Sequence, residues 1–380
     1  MQTVKVGVAG LGFIGPAHIE ALRRIPGIEV VAVSETSKEL AKEKAGQLGI
    51  EKYHGNYDDL LKENIDCIHI CTPNNLHYEM SKAALLAGKH VVCEKPLATN
   101  VEEGKELVQL AREKGLVHAV HFNIRYYPMV RQMKVSREKG ELGKIYSVIG
   151  TYLQDWLFHT TDYNWRLEPK LSGKSKAVAD IGSHLMDLLE YISGVKITEV
   201  MADFNTIHPV RKKPLKAVET FSGKMLKPED YEEVPISTED YATVLLRFDN
   251  GNKGVITVSQ VNAGRKNRLS LEISGSKQSF NWCSERPNEM WIGKRDEPNQ
   301  ILMRDPSLFE PESAQLISFP GGHNEGFPDT SKQMFKEVYN NIRKATMEGA
   351  TFPTFEAGLR ELLLCDRILE SNEKQKWVKV

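Results

Sequence analysis

The chain has 380 residues, 41% of them hydrophobic, with 50 Lys and Arg against 51 Asp and Glu, leaving a formal charge of −1. That length exceeds one ordinary core, so two domains are expected. The near cancellation of charge, with no basic stripe, argues against a nucleic-acid partner, and no apolar run reaches the roughly 18 residues of a membrane helix.

At the N-terminus the sequence goes directly into VKVGVAG, without a charged leader and apolar signal core. Five cysteines (Cys67, Cys71, Cys93, Cys283 and Cys365) are odd in number, and the first three lie in apolar runs, as reduced core cysteines do. A cytoplasmic protein is expected. Cys67 and Cys71 have no second ligand pair at metal-site spacing, so no metal is expected.

From the start to about Asn123, the apolar runs VKVGVAG, EVVAVS, CIHICT, HVVCE and VHAVHF are separated by helical patterns such as PAHIEALRRI, SKELAKEKAGQL and NVEEGKELVQLAREKG. Strands alternating with helices imply crossovers and a parallel sheet covered on both faces. Residues 1–124 are therefore expected to form a doubly wound α/β domain, and 125–380 a second domain. There, a helical stretch around YYPMVRQMKVSREKG leads to KIYSVIGTYLQ, an aromatic-rich loop and the amphipathic DIGSHLMDLLEYISG. The alternating runs TEDYATVLLRFDNG, KGVITVSQVNAG and NRLSLEISGSKQSFNW suit consecutive antiparallel strands, so an α+β domain with an open, mostly antiparallel sheet is expected. The charged, proline-containing stretch 209–235 reads as an irregular insertion with no assigned role. Two helical patterns split by GATFPTF complete the chain, with no internal repeat.

GLGFIG places Gly10, Gly12 and Gly15 at the spacing that turns a strand tightly into a helix and lets the backbone approach a pyrophosphate, with Phe13 and Ile14 at the helix entry. Glycines at such spacing also mark ordinary turns. Here a strand precedes them, a helix follows, and the next strand ends at Glu35, where an acid would bind the adenosine ribose. Glu35 would repel a ribose phosphate, which favours NAD over NADP despite the nearby Lys38. CTPNNLH follows the third run on the same carboxyl rim. Thr72, Pro73, Asn74 and His77 are candidate cofactor contacts there, although a Pro-Asn turn capping the next helix explains Pro73 and Asn74 equally well.

HVVCEKPLAT ends an apolar run in Glu94, Lys95 and Pro96. A partly desolvated lysine on that rim can exchange a proton with a hydroxyl being oxidised; an ion pair with Glu94 is the competing reading. On a regular helix, DIGSHLMDLL would put Asp180, His184 and Asp187 on one face and Ile181, Leu185, Leu188 and Ile192 on the other. A carboxylate beside an imidazole suits a general base. Trp156, Tyr163, Trp165 and Arg166, just before it, suit the apolar face and hydroxyl rim of a pyranose or cyclitol, or else fill a loop core.

GLGFIG, TPNNLH, EKP, NIRYYP and DIGSHLMDL, in this order and at these intervals, resemble the glucose-fructose oxidoreductase / inositol dehydrogenase / rhizopine catabolism (Gfo/Idh/MocA) family, over nearly the whole chain. The resemblance implies a Rossmann domain and an α/β domain whose sheet packs in a dimer or tetramer. It implies that Lys95 contacts the reacting hydroxyl, that His184 accepts the proton, and that Asp180 binds substrate and steadies the histidine. Asn123 and Arg125 match a stretch bordering nicotinamide and substrate, and Glu94 is counted with the cofactor contacts. Glu35 replaces the aspartate more usual in the family. GGHNEGFPDT, with His323 and Asn324, resembles the sugar-oxidising members. The expected activity is oxidation of a secondary hydroxyl of a pyranose, glycoside or inositol to the ketone, with a phosphosugar less expected because few basic residues lie near these motifs. A glycosidase working by transient oxidation and a non-catalytic NAD-binding sensor are the alternatives.

Overall fold

The apolar runs of the first half become a sheet whose strands are nearly all parallel-paired core. A computed structural model describes residues 3–216 and 226–380 of the chain. These fall into two compact units, Met1–Asn123 with Lys170–Gly173 and Pro328–Leu362, and Ile124–Pro169 with Lys174–Phe327 and Leu363–Val380.

In the first unit, β1 (Val4–Ala9), β2 (Ile28–Ser34), β3 (Lys52–His54), β4 (Cys67–Ile70), β5 (His90–Cys93) and β6 (His118–Val120) form one sheet in the order β3-β2-β1-β4-β5-β6. Every pairing is parallel. The crossovers are α1 (Ile14–Arg23), α2 (Lys38–Leu48), α3 (Tyr57–Leu61), α4 (His77–Leu86) and α5 (Val101–Lys114). Local sequence sets their ends: the side chains of Ser37, Asn56 and Asn100 accept from the third residue onward at the starts of α2, α3 and α5. Left-handed Gly49 and Gly115 stop α2 and α5. The order reverses between β1 and β4, and the crevice beyond the carboxyl ends at such a reversal is where open α/β sheets take ligands. The edge strand β3 was absent from the sequence reading: it is three residues long with no buried position, too short to show a period.

The second unit holds α6 (Pro128–Glu138), β7 (Ile145–Leu153), α7 (Pro169–Ser172, all but its first residue in the first unit), α8 (Ser183–Ser193), β8 (Ile197–Asn205), β9 (Val210–Pro214), β10 (Tyr231–Pro235), β11 (Tyr241–Phe248), β12 (Lys253–Ser259), β13 (Arg268–Gly275), β14 (Ser279–Cys283), β15 (Glu289–Gly293), β16 (Gln300–Met303) and α9 (Pro311–Ala314). The helix α10 (Phe327–Lys344) joins the first unit from Pro328, and α11 (Phe355–Lys374) passes from the first unit to the second, which closes with β17 (Val378–Lys379). Two stretches of the expected second domain, Lys170–Gly173 and Pro328–Leu362, thus belong to the first unit.

Nine strands form a sheet in the order β16-β15-β14-β13-β7-β12-β11-β8-β17, with β7 and β12 parallel and the other pairs antiparallel. Strand positions alternate: Val148, Val244 and Ile256 join the core formed with α6 and α8, while Tyr146, Ile149, Tyr241 and Leu245 are exposed. The stretch 209–235, expected to be irregular, instead forms an antiparallel ribbon of β9 and β10, with Lys212 opposite Glu233 and Lys213 opposite Glu232. Opposite charges thus occupy paired positions across the ribbon, and Pro214 and Pro235 sit at the strand ends, where proline is tolerated; residues 217–225 lie outside the described residues. Among the described residues no helix is long and apolar enough to cross a membrane.

Candidate active site

The glycine loop divides its work among three positions. Gly10 has φ +86°, and a Cβ there would meet the Cys71 carbonyl oxygen at 2.7 Å. A Cβ on Gly15 would meet the Gly10 carbonyl oxygen at 2.1 Å, whereas one on Gly12 would meet nothing within 4 Å. Two glycines therefore permit the turn and the strand-to-helix approach, and the third leaves open backbone at the entry to α1, the cradle a pyrophosphate needs. Phe13 stands just before Ile14, the first residue of α1, and is 60% exposed. A carboxylate oxygen of Glu35 accepts from the Leu11 N–H at 2.6 Å, and the other from Thr36 N–H at 3.2 Å, so the acid sits at the loop where a ribose would lie. The residues present fit a dinucleotide.

After β4, the Thr72 hydroxyl faces the Met80 sulfur at 3.4 Å and the Asn74 amide donates to the Ser172 carbonyl at 3.0 Å. His77 is buried, its ring nitrogens 2.6 Å from the Pro96 carbonyl oxygen and 2.9 Å from that of Thr72. Burial lowers its pKa, so the ring is neutral and donates to one of the two. It thereby ties the loop after β4 to the loop that follows Lys95. Asn123 is buried and donates to the Thr330 hydroxyl at 2.7 Å.

Glu94 turns inward. His18 Nε2 lies 2.8 Å from its Oε1 and His121 Nδ1 approaches the same oxygen, while Oε2 accepts from the Lys95 backbone N–H at 3.3 Å. A carboxylate can only accept, so both rings donate to it, and the rest of the chain of partners follows. His18 Nδ1 accepts from His69 Nδ1 at 2.8 Å and His69 Nε2 accepts from the Tyr339 hydroxyl at 2.8 Å, while His121 Nε2 lies 3.0 Å from the Ser331 hydroxyl. Every ring nitrogen thereby has a partner. Burial and the neighbouring His121 push His18 down to about 4, and burial puts His69 well below its usual value. Burial opposes the charge on Glu94, but His121 and His18 together hold its carboxyl well below the usual range. His18, Glu94 and His121 offer ligand atoms within 4.8 Å of one another, the residue types of a metal centre, and each of those atoms already serves the hydrogen-bond chain.

Sequence reasoning missed His18, His69 and His121. The available signal was polar residues in otherwise apolar runs, CIHIC and VHAVHF, whose strands are buried on both faces. Buried imidazoles need partners, and the acid of the EKP motif is one.

In the second unit, the helix expected from Asp180 begins instead with a π turn over Val178–Gly182 before α8. From Ser175 to Glu190, Ala179, Asp180 and His184 are the partly exposed positions and all others are buried. Asp180 and His184 thus remain accessible together. Asp180 accepts from the Gln260 amide at 3.0 Å and lies 3.5 Å from the Arg166 guanidinium. Asp187, expected on the same face, is buried and paired with Arg125 through two nitrogens, the Nε contact at 2.8 Å. Its burial in α8 requires a cation, and Arg125, which also lies over the Tyr191 ring, supplies it.

The aromatic loop is mixed in character. Tyr163 packs with Leu157, Leu167, Ile236 and Val234, so it fills a small core. Trp165 lies under the Arg166 guanidinium at 4.5 Å, and Trp156 is half-buried. His323 and Asn324 are exposed on a loop whose carbonyls are gathered by buried Arg304, which donates to Phe319 at 2.9 Å and to His323, and pairs with Glu325 at 2.9 Å.

Known proteins share this organisation. Residues 4–122 match the model of an oxidoreductase family with an NAD-binding Rossmann fold, and 130–281 the C-terminal domain model of the same family. A levoglucosan dehydrogenase of Pseudarthrobacter phenanthrenivorans is 31% identical over 393 aligned positions, covering 100% of this chain and 99% of that protein. A myo-inositol 2-dehydrogenase of Thermotoga maritima is 29% identical, covering 72% of this chain and 73% of its own. A solved levoglucosan dehydrogenase in complex with NADH and levoglucosan superposes with a TM-score of 0.89 at 30% identity, over 100% of both chains. The glycine cradle, the acid at Glu35 and these matches along the chain agree: the protein belongs to the Gfo/Idh/MocA family of NAD-dependent oxidoreductases.

Proposed function

We propose that this enzyme oxidises a secondary hydroxyl of a pyranose, an anhydrosugar or an inositol to the ketone, with Lys95 and His184 handling the proton. The observation that carries the reading is the combination of an open glycine cradle at Gly12 with accessible Asp180 and His184 on an otherwise buried helix, in a chain similar over its whole length to a levoglucosan dehydrogenase. Bound NAD supplies the hydride acceptor. Gly10, Gly12, Phe13, Ile14 and Gly15 would hold its pyrophosphate, Glu35 its ribose, and Thr72, Pro73, Asn74, His77, Asn123 and Arg125 would border the rest.

Lys95 would hydrogen-bond the reacting hydroxyl, anchored through its own backbone N–H to Glu94. His184 would take the hydroxyl proton as the carbon loses hydride, and Asp180, braced by Gln260 and Arg166, would bind a neighbouring hydroxyl. Trp156, Tyr163, Trp165, Arg166 and His323 would supply the sugar-binding surface. The exposed apolar strand positions Tyr146, Ile149 and Leu245 support a homodimer or homotetramer packed through the sheet, acting in cytoplasmic carbohydrate metabolism.

The test is NADH absorbance with purified protein, NAD and a panel of inositols, free aldoses, glycosides and anhydrosugars. A rise with one structural group supports the reading and names the substrate class. Silence across the panel in a preparation shown to bind NAD overturns it, and glycoside cleavage without net NADH would point to the transient-oxidation chemistry.

A further inference from the structure

We infer that the β9–β10 ribbon shapes the aromatic loop through a buried ionic hub, so that Arg211 and Asp240 are positioning residues that set which sugar the enzyme selects. This rests on the preceding reading of the aromatic loop as sugar-binding.

Residues Leu157–Asp162 have no helix or strand of their own, and their carbonyls find partners in the ribbon and the residues leading into it. Arg211 Nη1 donates to the carbonyls of His159 at 2.9 Å and Asp162 at 3.2 Å, and Nη2 to that of Leu157 at 2.9 Å. His208 Nε2 lies 2.9 Å from the Phe158 carbonyl oxygen, and the Lys212 N–H donates to the Thr160 carbonyl at 2.9 Å. Five carbonyls within six residues are thereby held from outside the loop. The loop is flanked by Trp156 on one side and by Tyr163, Trp165 and Arg166 on the other.

The same arginine donates to Asp240 Oδ1 at 2.7 Å, and the Lys176 ammonium reaches that oxygen too. The second Asp240 oxygen accepts from the His208 N–H at 2.9 Å. Next door, Glu239 Oε1 accepts from the Ser175 hydroxyl at 2.7 Å and from the backbone of Lys176 at 3.0 Å and Val178 at 2.9 Å, at the start of the π turn that carries Asp180. Lys176, Arg211, Glu239 and Asp240 are all at most 3% exposed: two cations balanced by two carboxylates. Adjacent acids of one strand-entry segment thus hold the start of the Asp180 helix directly and the aromatic loop through Arg211. A buried pair that served stability alone could be replaced by packed hydrocarbon; hydrocarbon cannot hold three loop carbonyls.

The test compares the intact enzyme with Arg211→Lys, which keeps the charge but loses the planar fork. Hydrogen–deuterium exchange without substrate should accelerate in 157–165 and stay unchanged in α8. With NAD and the sugar panel, KM for the best sugar should rise about tenfold while KM for NAD moves less than about twofold, and the kcat/KM preference between the two best sugar classes should shrink. Unchanged exchange in 157–165, or an equal loss for every sugar carried by kcat alone, would overturn the proposal. Should Arg211→Lys not fold, His208→Ala removes one carbonyl contact and should give the same pattern at about threefold; no change in either readout overturns the proposal. If the parent enzyme oxidises nothing in the panel, the functional reading fails, and the exchange result still decides whether the ribbon holds the loop.

Discussion

Two polar hubs, one in each unit, are buried around a carboxylate and built from opposite materials. Around Glu94 stand imidazoles, His18 and His121, with His69 behind them. Around Asp240 stand the cations Lys176 and Arg211. Both rings donate to the carboxylate and hold its pKa well below the usual range, so the first hub keeps a carboxylate buried immediately before Lys95. The second is close to neutral with Glu239 included. One arrangement is sensitive to mild acid and the other is not, because imidazole is the partner that ordinarily titrates between pH 5 and 8.

Four experiments break or sharpen that contrast. The largest effect should come from Lys95, the group that the first hub places: Lys95→Ala should lower turnover by about 10²–10⁴-fold while NAD affinity, read by fluorescence titration, moves less than about threefold. Unchanged turnover would sink its proposed role. Next, Asp240→Asn leaves two buried cations short of a counter-charge and should cost about 3–5 kcal/mol in urea unfolding. A loss below about 1 kcal/mol would mean that the hub is already uncharged.

Acid should separate the hubs. His18 has a folded pKa of about 4 against an ordinary 6.5, so the unfolded chain binds its proton first. Its contribution is complete above the ordinary value and is lost as pH falls toward about 4, roughly 2 kcal/mol of it by pH 5. Burial opposes the charge of Asp240, but Lys176 and Arg211 hold its carboxyl below 3.8, so its contribution persists through that window. Urea midpoints that do not change between pH 7.5 and 5 would contradict a neutral His18. The smallest effect concerns Glu35→Ala, which should raise the NADP to NAD ratio of kcat/KM about tenfold by removing one repulsive charge; an unchanged ratio would show that the acid does not face the ribose.

What could be read from sequence was what lies close together in the chain. GLGFIG, EKP and DIGSH each carry their chemistry within a few residues, and the parallel and antiparallel sheets announced themselves through period. The first hub did not, because His18, His69, Glu94, His121 and Ser331 come from five separate segments. Each histidine, taken singly, looked like a blemish in an apolar run. The ribbon was hidden for another reason: its alternation is of charge sign across strands, Lys212 with Glu233 and Lys213 with Glu232, which a hydrophobic period cannot reveal. Asp187 was assigned to the accessible face by assuming regular helical spacing from Asp180, whereas burial with Arg125 decides its direction.

The π turn at Val178–Gly182 sets a phase. It accommodates about one more residue per turn than an α-helix would, so regular α winding over the same residues would rotate everything before it by roughly 100° relative to His184. Lys176 would then point away from Asp240 while the spacing from Asp180 to His184 stayed intact. The segment works like a dial with one correct setting, held by the one extra residue that the wider turn takes up.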